Sequence, residues 1–469
     1  MSQRNLHVAV IGAGPVGLAA AAHLVSRSVS VRVYESGDAV AANVRKWGHV
    51  RLFSPWAFNT DEAAKAILKG HGWQEPQGDV LPTGNDLYDA YLHPLAETPE
   101  LRSVIETNAK VKAISREGFS KVTTRGRETS PFALVVQNGR TRIEHASAII
   151  DASGTWQNPN PLGASGLQAI GEDAAADYID YGIPGILGAD RATYAGKRIL
   201  VVGGGHSAAN ALLDLARLAE ADRRLQVTWA LRTANLVRIF GGGDSEALPA
   251  RGKLGSDLKS LLESGRIKLV ADFSANQVHV SNHAVTVTGL TSDGVREVGP
   301  FDRIIVATGQ RPDLEMTREL RLDLDPWLEC PKVLGPSIDP NLHSCGSVPP
   351  HGYKELAHPE SRYFAVGVKS YGRAPTFLMA TGYEQVRSVA AFLAGDLEAA
   401  NAVRLVLPET GVCSTDLASR NDQTGCCGGS QPEAVDACCA DDANAKAIGA
   451  AGCGCVSQPE KIQKAAAMR

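Results

Sequence analysis

Two segments of the chain share one local pattern, in which a buried strand is followed by a glycine-rich turn, a helix and a second strand. The first occupies residues 6–34 and has the turn Gly12-Ala13-Gly14-Pro15-Val16-Gly17. The second occupies residues 198–231 and has the turn Gly203-Gly204-Gly205-His206-Ser207-Ala208. A β-α-β unit of this kind places its two strands parallel in one sheet. The repeat therefore predicts an α/β fold with two Rossmann-like domains.

The first turn has the spacing that a dinucleotide requires. Gly12 permits the tight turn, Gly14 lets a pyrophosphate approach the backbone, and Gly17 lets the helix pack closely on the strand. Glu35 ends the next strand, where a carboxylate can accept hydrogen bonds from an adenosine ribose. This context indicates a dinucleotide site, and the alternative is a glycine-rich turn that binds nothing.

The second turn has the GxGxxA form, with Gly203, Gly205 and Ala208 at the patterned positions and Ser207 at the start of the helix. Arg232 lies at the end of the following strand, where a site for NAD would carry an acid. A guanidinium at this point can pair with a 2′-phosphate, which favours NADPH over NADH. The alternative is that Arg232 is a solvated charge at a strand end.

The order of these units predicts one domain inserted into another. Strand patterns at 133–137, 148–151 and 303–307 surround the second unit, and a stretch rich in Gly, Pro and Asn at 154–166 suits a crossover between domains. We expect a discontinuous first domain at 1–160 and 310–400, an inserted domain at 161–309, and a tail at 408–469. The tail contains no Phe, Trp, Tyr or His, so we expect it to be disordered.

Charge and hydropathy narrow the range of partners. The chain has 47 Lys and Arg against 51 Asp and Glu, so no basic field favours nucleic acid. The apolar run at 8–25 is interrupted by the first glycine turn, which argues against a signal peptide or a membrane span. We therefore expect a cytoplasmic protein that acts on small molecules without a membrane partner.

A third element carries a resemblance to a known family. Val306-Ala307-Thr308-Gly309-Gln310-Arg311-Pro312-Asp313 follows a strand, and Gly154-Thr155-Trp156 precedes Pro159 and Pro161. With the two glycine turns, these residues resemble flavin-dependent monooxygenases and pyridine-nucleotide oxidoreductases over about residues 6–395. The resemblance implies FAD at the first turn, with Thr308 and Gly309 contributing, and NADPH at the second. Two features depart from it: the FxGxxxH fingerprint is absent at 182–188, and Gly367-Val368-Lys369 replaces a Gly-Asp pair.

The cysteines are concentrated at one end of the sequence. None of the nine precedes Cys330, so the chain lacks the closely spaced dithiol of a disulfide reductase near its flavin, unless Cys330 and Cys345 form an unusual pair. Oxygen is then the expected electron acceptor. The other seven, Cys413, Cys426, Cys427, Cys438, Cys439, Cys453 and Cys455, have spacings unlike a zinc site and suit soft, thiophilic ions. The alternative is an inert low-complexity tail.

The whole chain resembles the flavin monooxygenases associated with bacterial arsenic resistance. The matching stretches are 338–346, 369–377 and 407–413. The resemblance implies oxidation of arsenite or methylarsenite to the pentavalent form through a C4a-hydroperoxyflavin, with O₂ as co-substrate. Three rivals stay open: an NADPH oxidase, a monooxygenase of organic amines or sulfides, and a protein that sequesters metalloids.

The expected substrate site is a cluster of thiols, because one trivalent arsenic atom binds several thiolates. We expect Cys330, Cys345 and Cys413 to bind the substrate and the later cysteines to deliver it, whereas the alternative makes Cys330 and Cys345 ordinary apolar residues. Lys369, Arg373 and Arg251 are candidate cations for the peroxyflavin and equally candidate surface charges.

Overall fold

The computed structural model describes residues 6–240, 248–340, 348–375 and 377–405. Its strands are β1 His7–Ile11, β2 Ser30–Tyr34, β3 Ile105–Glu106, β4 Lys110–Arg116, β5 Phe132–Asn138, β6 Arg140–Ala146, β7 Ala148–Asp151, β8 Ile179–Tyr181, β9 Arg198–Val202, β10 Gln226–Ala230, β11 Lys268–Val270, β12 Ser274–Ser281, β13 Ala284–Thr291, β14 Gly294–Phe301, β15 Arg303–Val306 and β16 Tyr363–Ala365. Its α-helices are α1 Pro15–Val25, α2 Ala42–Lys46, α3 Glu62–Gly70, α4 Gly84–Leu87, α5 His93–Ala96, α6 Pro99–Arg102, α7 Arg191–Tyr194, α8 His206–Ala221, α9 Val237–Phe240, α10 Pro249–Glu263, α11 Gly335–Ile338, α12 Met379–Leu393 and α13 Leu397–Asn401.

The first parallel sheet has the strand order β16-β7-β1-β2-β3. Val8 and Val10 of β1 are fully buried, and the helix α1 behind them contributes Leu18 and Leu24 to the same core. A parallel strand that is covered on both faces reads as a continuous apolar run, which is why the sequence pattern identified β1. The chain leaves β1 toward β2 on one side and returns through β7 on the other, so the order reverses between β1 and β7.

The second parallel sheet has the order β11-β10-β9-β15-β8. Helices α8 and α10 pack together beside it, and Leu212, Leu215 and Leu258 are buried in their shared core. Trp229 of β10 is fully buried and its indole Nε1 donates to the carbonyl oxygen of Gly203 at 2.8 Å. This bond joins the middle of the sheet to the second glycine turn.

Each parallel sheet is accompanied by an antiparallel meander, β4-β5-β6 for the first and β12-β13-β14 for the second. Buried charges tie the first meander to the end of the domain. Glu360 accepts hydrogen bonds from Arg116 Nε at 2.8 Å and from Arg127 Nη2 at 2.8 Å, and all three side chains are 3% exposed. A carboxylate held by two guanidinium groups satisfies charges that would otherwise be costly to bury.

Two chain segments connect the sheets and run antiparallel to each other. Asn160 N donates to the carbonyl oxygen of Gly309 at 3.0 Å, and Arg311 N donates to that of Asn158 at 3.0 Å. The first segment follows β7 of the first sheet, and the second follows β15 of the second. The domain boundaries at 160 and 309 fall within this pair of segments and stay predictions.

The predicted fold class, an α/β protein with two parallel Rossmann-like sheets, is confirmed for the described residues. The predicted disordered tail at 408–469 lies outside them. In the described ranges, no helix is both long and apolar enough to cross a membrane.

Candidate dinucleotide sites

The first glycine turn leaves room for a ligand at one position and none at the other two. Gly12 has a φ of +94°, and a Cβ on it would lie 2.7 Å from the carbonyl oxygen of Ala152. A Cβ on Gly17 would lie 1.9 Å from the carbonyl oxygen of Gly12. A Cβ on Gly14 would meet nothing within 4 Å. The outer two glycines are therefore required by the fold, whereas the space at Gly14 fits a pyrophosphate that approaches the backbone at the start of α1.

Glu35 is positioned by the turn itself. Its Oε2 accepts from Ala13 N at 2.8 Å and its Oε1 accepts from Gly37 N at 2.7 Å, and the residue is 7% exposed. Oε1 also accepts from Ser36 Oγ at 3.4 Å, so the second lone pair of Oε2 is the one available for a sugar hydroxyl. Beside Glu35 lies an open cleft of about 630 Å³, whose lining includes Ser36, Gly37, Asn43, Arg45 and Gln157. The first turn and Glu35 therefore fit the adenosine end of FAD.

Behind the first turn lies a buried ion pair. Lys369 Nζ is 2.7 Å from Asp151 Oδ2, and the side chains are 2% and 0% exposed. Ser153 Oγ donates to Asp151 Oδ1 at 2.7 Å, and Tyr363 Oη donates to Asp151 Oδ2 at 2.8 Å. The alternative that Lys369 is a surface cation is thus wrong, because its side chain is buried and paired with Asp151, whereas a contribution to the peroxyflavin stays a prediction. Of the other two candidates, Arg373 is exposed and Arg251 is partly buried.

The second turn repeats the geometry of the first. Gly203 has a φ of +131°, and a Cβ on it would lie 2.2 Å from the carbonyl oxygen of Ala307. A Cβ on Gly205 would meet nothing within 4 Å, and Ala208 is fully buried. Ser207 is partly exposed in the first turn of α8, where backbone N–H groups point toward the open space. This arrangement fits the pyrophosphate of a second dinucleotide.

Arg232 is exposed just beyond the end of β10, as the sequence pattern predicts. Its Nη1 donates to the carbonyl oxygen of Ala164 at 3.0 Å, which holds the guanidinium near the crossover segment. Guanidinium has five N–H donors, so this one bond leaves others for a phosphate. Its role in selecting NADPH stays a prediction.

Thr308 and Gly309 lie in the crossover that joins the two sheets. Thr308 Oγ1 donates to the carbonyl oxygen of Asn160 at 2.9 Å, so its hydroxyl is used within the connecting segments. Gly309 has a φ of +89°, a conformation that favours glycine. The structure therefore gives both residues a role in the crossover, and their contribution to the flavin site stays a prediction.

The cysteines divide into one that the structure describes and eight that it does not. Cys330 is 0% exposed and packs in the core of the first domain. Burial and the nearby Asp325 raise the pKa of its thiol to about 12. This burial favours the alternative in which Cys330 is an ordinary apolar core residue, and its role as a substrate ligand stays a prediction. Cys345, Cys413 and the later cysteines lie outside the described residues.

Several residues of the first site were not found by sequence reasoning. Asp151 and Ser153 contact Lys369, and Tyr363 donates to Asp151. Gln385 Oε1 of α12 accepts from Gly367 N at 2.7 Å. Ser153 and Lys369 are 216 positions apart, so no local pattern links them. The one available signal was the lysine itself, which stands in an otherwise apolar stretch after β16.

Comparisons with known proteins agree with this geometry. A family model described as pyridine nucleotide-disulphide oxidoreductase matches residues 9–330. Bacillithiol disulfide reductase Bdr from Bacillus cereus is 18% identical with a TM-score of 0.58, over 83% of this chain and 99% of its own. The cadaverine monooxygenase DfoA from Erwinia amylovora, solved with FAD, is 12% identical with a TM-score of 0.58, over 87% of this chain and 99% of its own.

A third solved structure contains two bound cofactors. The ornithine N-hydroxylase KtzI from Kutzneria sp. 744, solved with reduced FAD, NADP⁺ and L-ornithine, is 13% identical with a TM-score of 0.53, over 83% of this chain and 98% of its own. A search of curated proteins finds no match. At these identities, the likeness to solved structures shows the fold alone.

Proposed function

The chain belongs to the pyridine nucleotide-disulphide oxidoreductase family, and from this premise we propose that it is an FAD- and NADPH-dependent monooxygenase that oxidises trivalent arsenicals. Membership of this family makes the chain an oxidoreductase. Family membership alone does not decide the cofactors, the electron acceptor or the substrate.

The proposal for the cofactors rests on the two glycine turns. Gly14 and Gly205 each leave open space where a pyrophosphate would meet the N-terminus of a helix. Glu35 supplies a carboxylate at the first turn, and Arg232 supplies a cation beyond the second. This difference in charge supports FAD at the first site and NADPH at the second. The solved structures of DfoA with FAD and of KtzI with reduced FAD and NADP⁺ support the same two cofactors for this chain.

The observation that carries the choice of oxygen is the position of the thiols. Residues 1–329 contain no cysteine, and the described residues contain only Cys330, which is buried in the core. A disulfide reductase that uses its own dithiol needs a pair of thiols that the flavin can reach. No such pair occurs in the described ranges, so we assign the electrons to O₂.

The reaction balances with these components. Bound FAD, reduced by NADPH, supplies the activated oxygen. One oxygen atom of O₂ goes to the lone pair of trivalent arsenic, and the other leaves as water with the two electrons of NADPH and two protons. The chain's residues hold the dinucleotides through the glycine turns and through Glu35 and Arg232. The cysteine-rich sequence beyond residue 408 supports a thiophilic substrate, since thiolates are soft ligands. Its thiols also suit a reducing compartment, which supports a cytoplasmic location.

The test measures NADPH consumption by the full-length protein with arsenite, with methylarsenite and without either, together with arsenic speciation and a peroxide assay. We expect either arsenical to raise the rate and to yield one pentavalent product per NADPH. Under nitrogen, as the control, no product should form. Equal consumption without substrate, with peroxide in stoichiometric yield, would make the protein an oxidase. Arsenic binding without turnover would make it a sequestering protein. A rate that rises with amines or sulfides alone would make organic amines or sulfides its substrates.

A further inference from the structure

The buried pair formed by Lys369 and Asp151 lies at the point where the strand order of the first sheet reverses. Asp151 is the last residue of β7 and lies beside Ile11 of β1 and Ala365 of β16. Ile11 directly precedes the first glycine turn. In open α/β sheets, ligands bind in the crevice at the carboxyl ends of the strands where the order reverses. The pair therefore lies beneath the cofactor crevice.

Two chain segments at this crevice are fixed by the pair. Asp151 begins the segment 151–154, and its Oδ1 accepts from Ser153 N at 3.2 Å as well as from Ser153 Oγ. The backbone of Ala152 and Ser153 lies against Gly12, where a Cβ would meet it. Lys369 belongs to the second segment, the 3₁₀ turn Gly367–Tyr371. Its Nζ reaches back to Ser153 Oγ at 3.0 Å, so one ammonium joins both segments.

The second segment is also held from the opposite side. Gln385 Oε1 of α12 accepts from Gly367 N at 2.7 Å, and its Nε2 donates to Ser370 Oγ at 2.8 Å. The same amide nitrogen lies 2.8 Å from His351 Nε2. His351 Nδ1 lies 3.0 Å from the carbonyl oxygen of Pro349, so Nδ1 carries the proton and Nε2 accepts from Gln385. The turn is thus held by buried polar groups on two sides.

The energetics argue that this pair does more than stabilise the fold. An ion pair loses hydration when it is buried, and well-packed apolar residues of similar volume often stabilise a protein equally well. Burial opposes ionisation of Asp151, but Lys369, Ser153 and Tyr363 outweigh it and lower the pKa of the carboxyl, which favours its charged form. Charges at fixed positions define a geometry that apolar packing leaves less well defined.

From these contacts we infer that Lys369 and Asp151 are positioning residues for the flavin cofactor. They hold the segments 151–154 and 367–371 at the distance that the bound cofactor requires, beside the glycine turn at 12–17. Neither side chain is exposed, so they act through the backbone of these two segments. This inference rests on the FAD assignment in the proposed function and is independent of the arsenic substrate.

The test compares this pair with a second buried ion cluster of the same domain. K369M and D151N each leave one charge without its partner beneath the crevice. R116M and E360Q disturb the buried cluster of Arg116, Arg127 and Glu360, whose side chains are 3% exposed. R116M removes one of the two cations that hold Glu360, and E360Q removes the carboxylate charge that both arginines share. All four variants are purified as full-length holoenzyme. The thermal midpoint, the rate of FAD release and the visible circular dichroism of the bound flavin are measured for each.

All four variants should lose thermal stability, but only K369M and D151N should alter the rate of FAD release and the dichroic band of the flavin. We expect K369M and D151N to release FAD about tenfold faster or more and to alter the visible dichroic band. R116M and E360Q should release FAD within about twofold of the wild-type rate and keep its band, since the hydrogen bonds of Arg116 and Glu360 run to other parts of the domain than the segments 151–154 and 367–371. If K369M or D151N does not fold, the double variant D151N/K369Q, which buries neither charge, is judged by the same criteria.

Two results would overturn this inference and leave the proposed function intact. One is wild-type FAD release and an unchanged band in K369M and D151N, or in the double variant. The other is an equal acceleration in R116M and E360Q, which would tie FAD release to stability alone. A wild-type chain that takes up no FAD would overturn the proposed function together with this inference.

Discussion

At the scale of single residues, Arg232 is the side chain on which the choice of nicotinamide cofactor depends. It is exposed beyond β10, and its Nη1 donates to the carbonyl oxygen of Ala164. Arg232→Glu should raise the KM for NADPH and spare that for NADH, because a charge-assisted bond to a 2′-phosphate contributes about 1.5–3 kcal/mol. Steady-state kinetics with both cofactors measure this.

A suitable control for Arg232 is Arg217→Glu, since Arg217 is exposed on α8 and paired with Asp214. The control should leave the ratio of kcat/KM for the two cofactors unchanged. Discrimination that stays at the wild-type level in Arg232→Glu would remove Arg232 from the NADPH site.

Cys330 gives a second prediction at this scale. The thiol is buried and its pKa is raised to about 12, so we expect it to pack in the core of the folded state and not to bind the metalloid. Cys330→Ala should keep kcat/KM for arsenite and methylarsenite and lower the thermal midpoint, because removing a buried sulfur leaves a small cavity that costs about 1 kcal/mol.

The matched variants for Cys330 are Cys345→Ser and Cys413→Ser, which test the two thiols that stay candidates for the substrate site. A large fall in kcat/KM in Cys330→Ala at full flavin content would show that the core opens to admit the substrate. Wild-type kinetics in all three variants would leave only the later cysteines as ligands.

At the scale of elements, the glycine turns combine two requirements that mutation can separate. A Cβ on Gly17 would overlap the carbonyl oxygen of Gly12, whereas a Cβ on Gly14 would enter open space. Gly17→Ala should therefore destabilise the protein by about 3 kcal/mol or more, because the helix must move away from the strand. Gly14→Ala should keep the stability of the flavin-free protein and weaken FAD binding, because the methyl group occupies the space for the pyrophosphate.

Thermal unfolding of the flavin-free protein and FAD titration distinguish these two effects. Gly203→Ala and Gly205→Ala provide the same comparison at the second turn, with NADPH as the ligand. Tight FAD binding by Gly14→Ala would mean that the pyrophosphate does not approach the backbone there.

At the scale of the whole molecule, truncation tests whether the two-sheet region binds FAD without the cysteine-rich tail and whether the tail captures substrate. A chain truncated after Thr415 keeps every described residue and Cys413. It should bind FAD as the full-length chain does, since the first turn, Glu35 and the pair Asp151–Lys369 all precede the cut. Its turnover should fall mainly at low arsenical concentration, because six thiols for substrate capture are removed.

The measurement is the turnover rate over a range of arsenite concentrations, with the flavin content determined for each preparation. Unchanged turnover at every concentration would assign the tail no part in catalysis. Loss of FAD on truncation would instead make the tail a structural part of the first domain.

The sequence determined the elements whose signals are local. An apolar strand, a glycine turn and a helix are set by residues within about thirty positions of each other, so β1, α1, β2, β9, α8 and β10 could be predicted. The identity of the residue that ends each second strand, Glu35 or Arg232, could be read in the same way. These local patterns established the fold class and the two candidate dinucleotide sites.

Only the tertiary structure decided which distant residues meet. The sequence pattern indicated a strand at 133–137 but not its pairing with β4 and β6, because antiparallel partners are chosen by packing across the whole meander. It could not show that Cys330 is in the core or that Lys369 is paired with Asp151. Burial and ion pairing depend on the surroundings of a side chain in space, and chain segments far apart in sequence supply those surroundings.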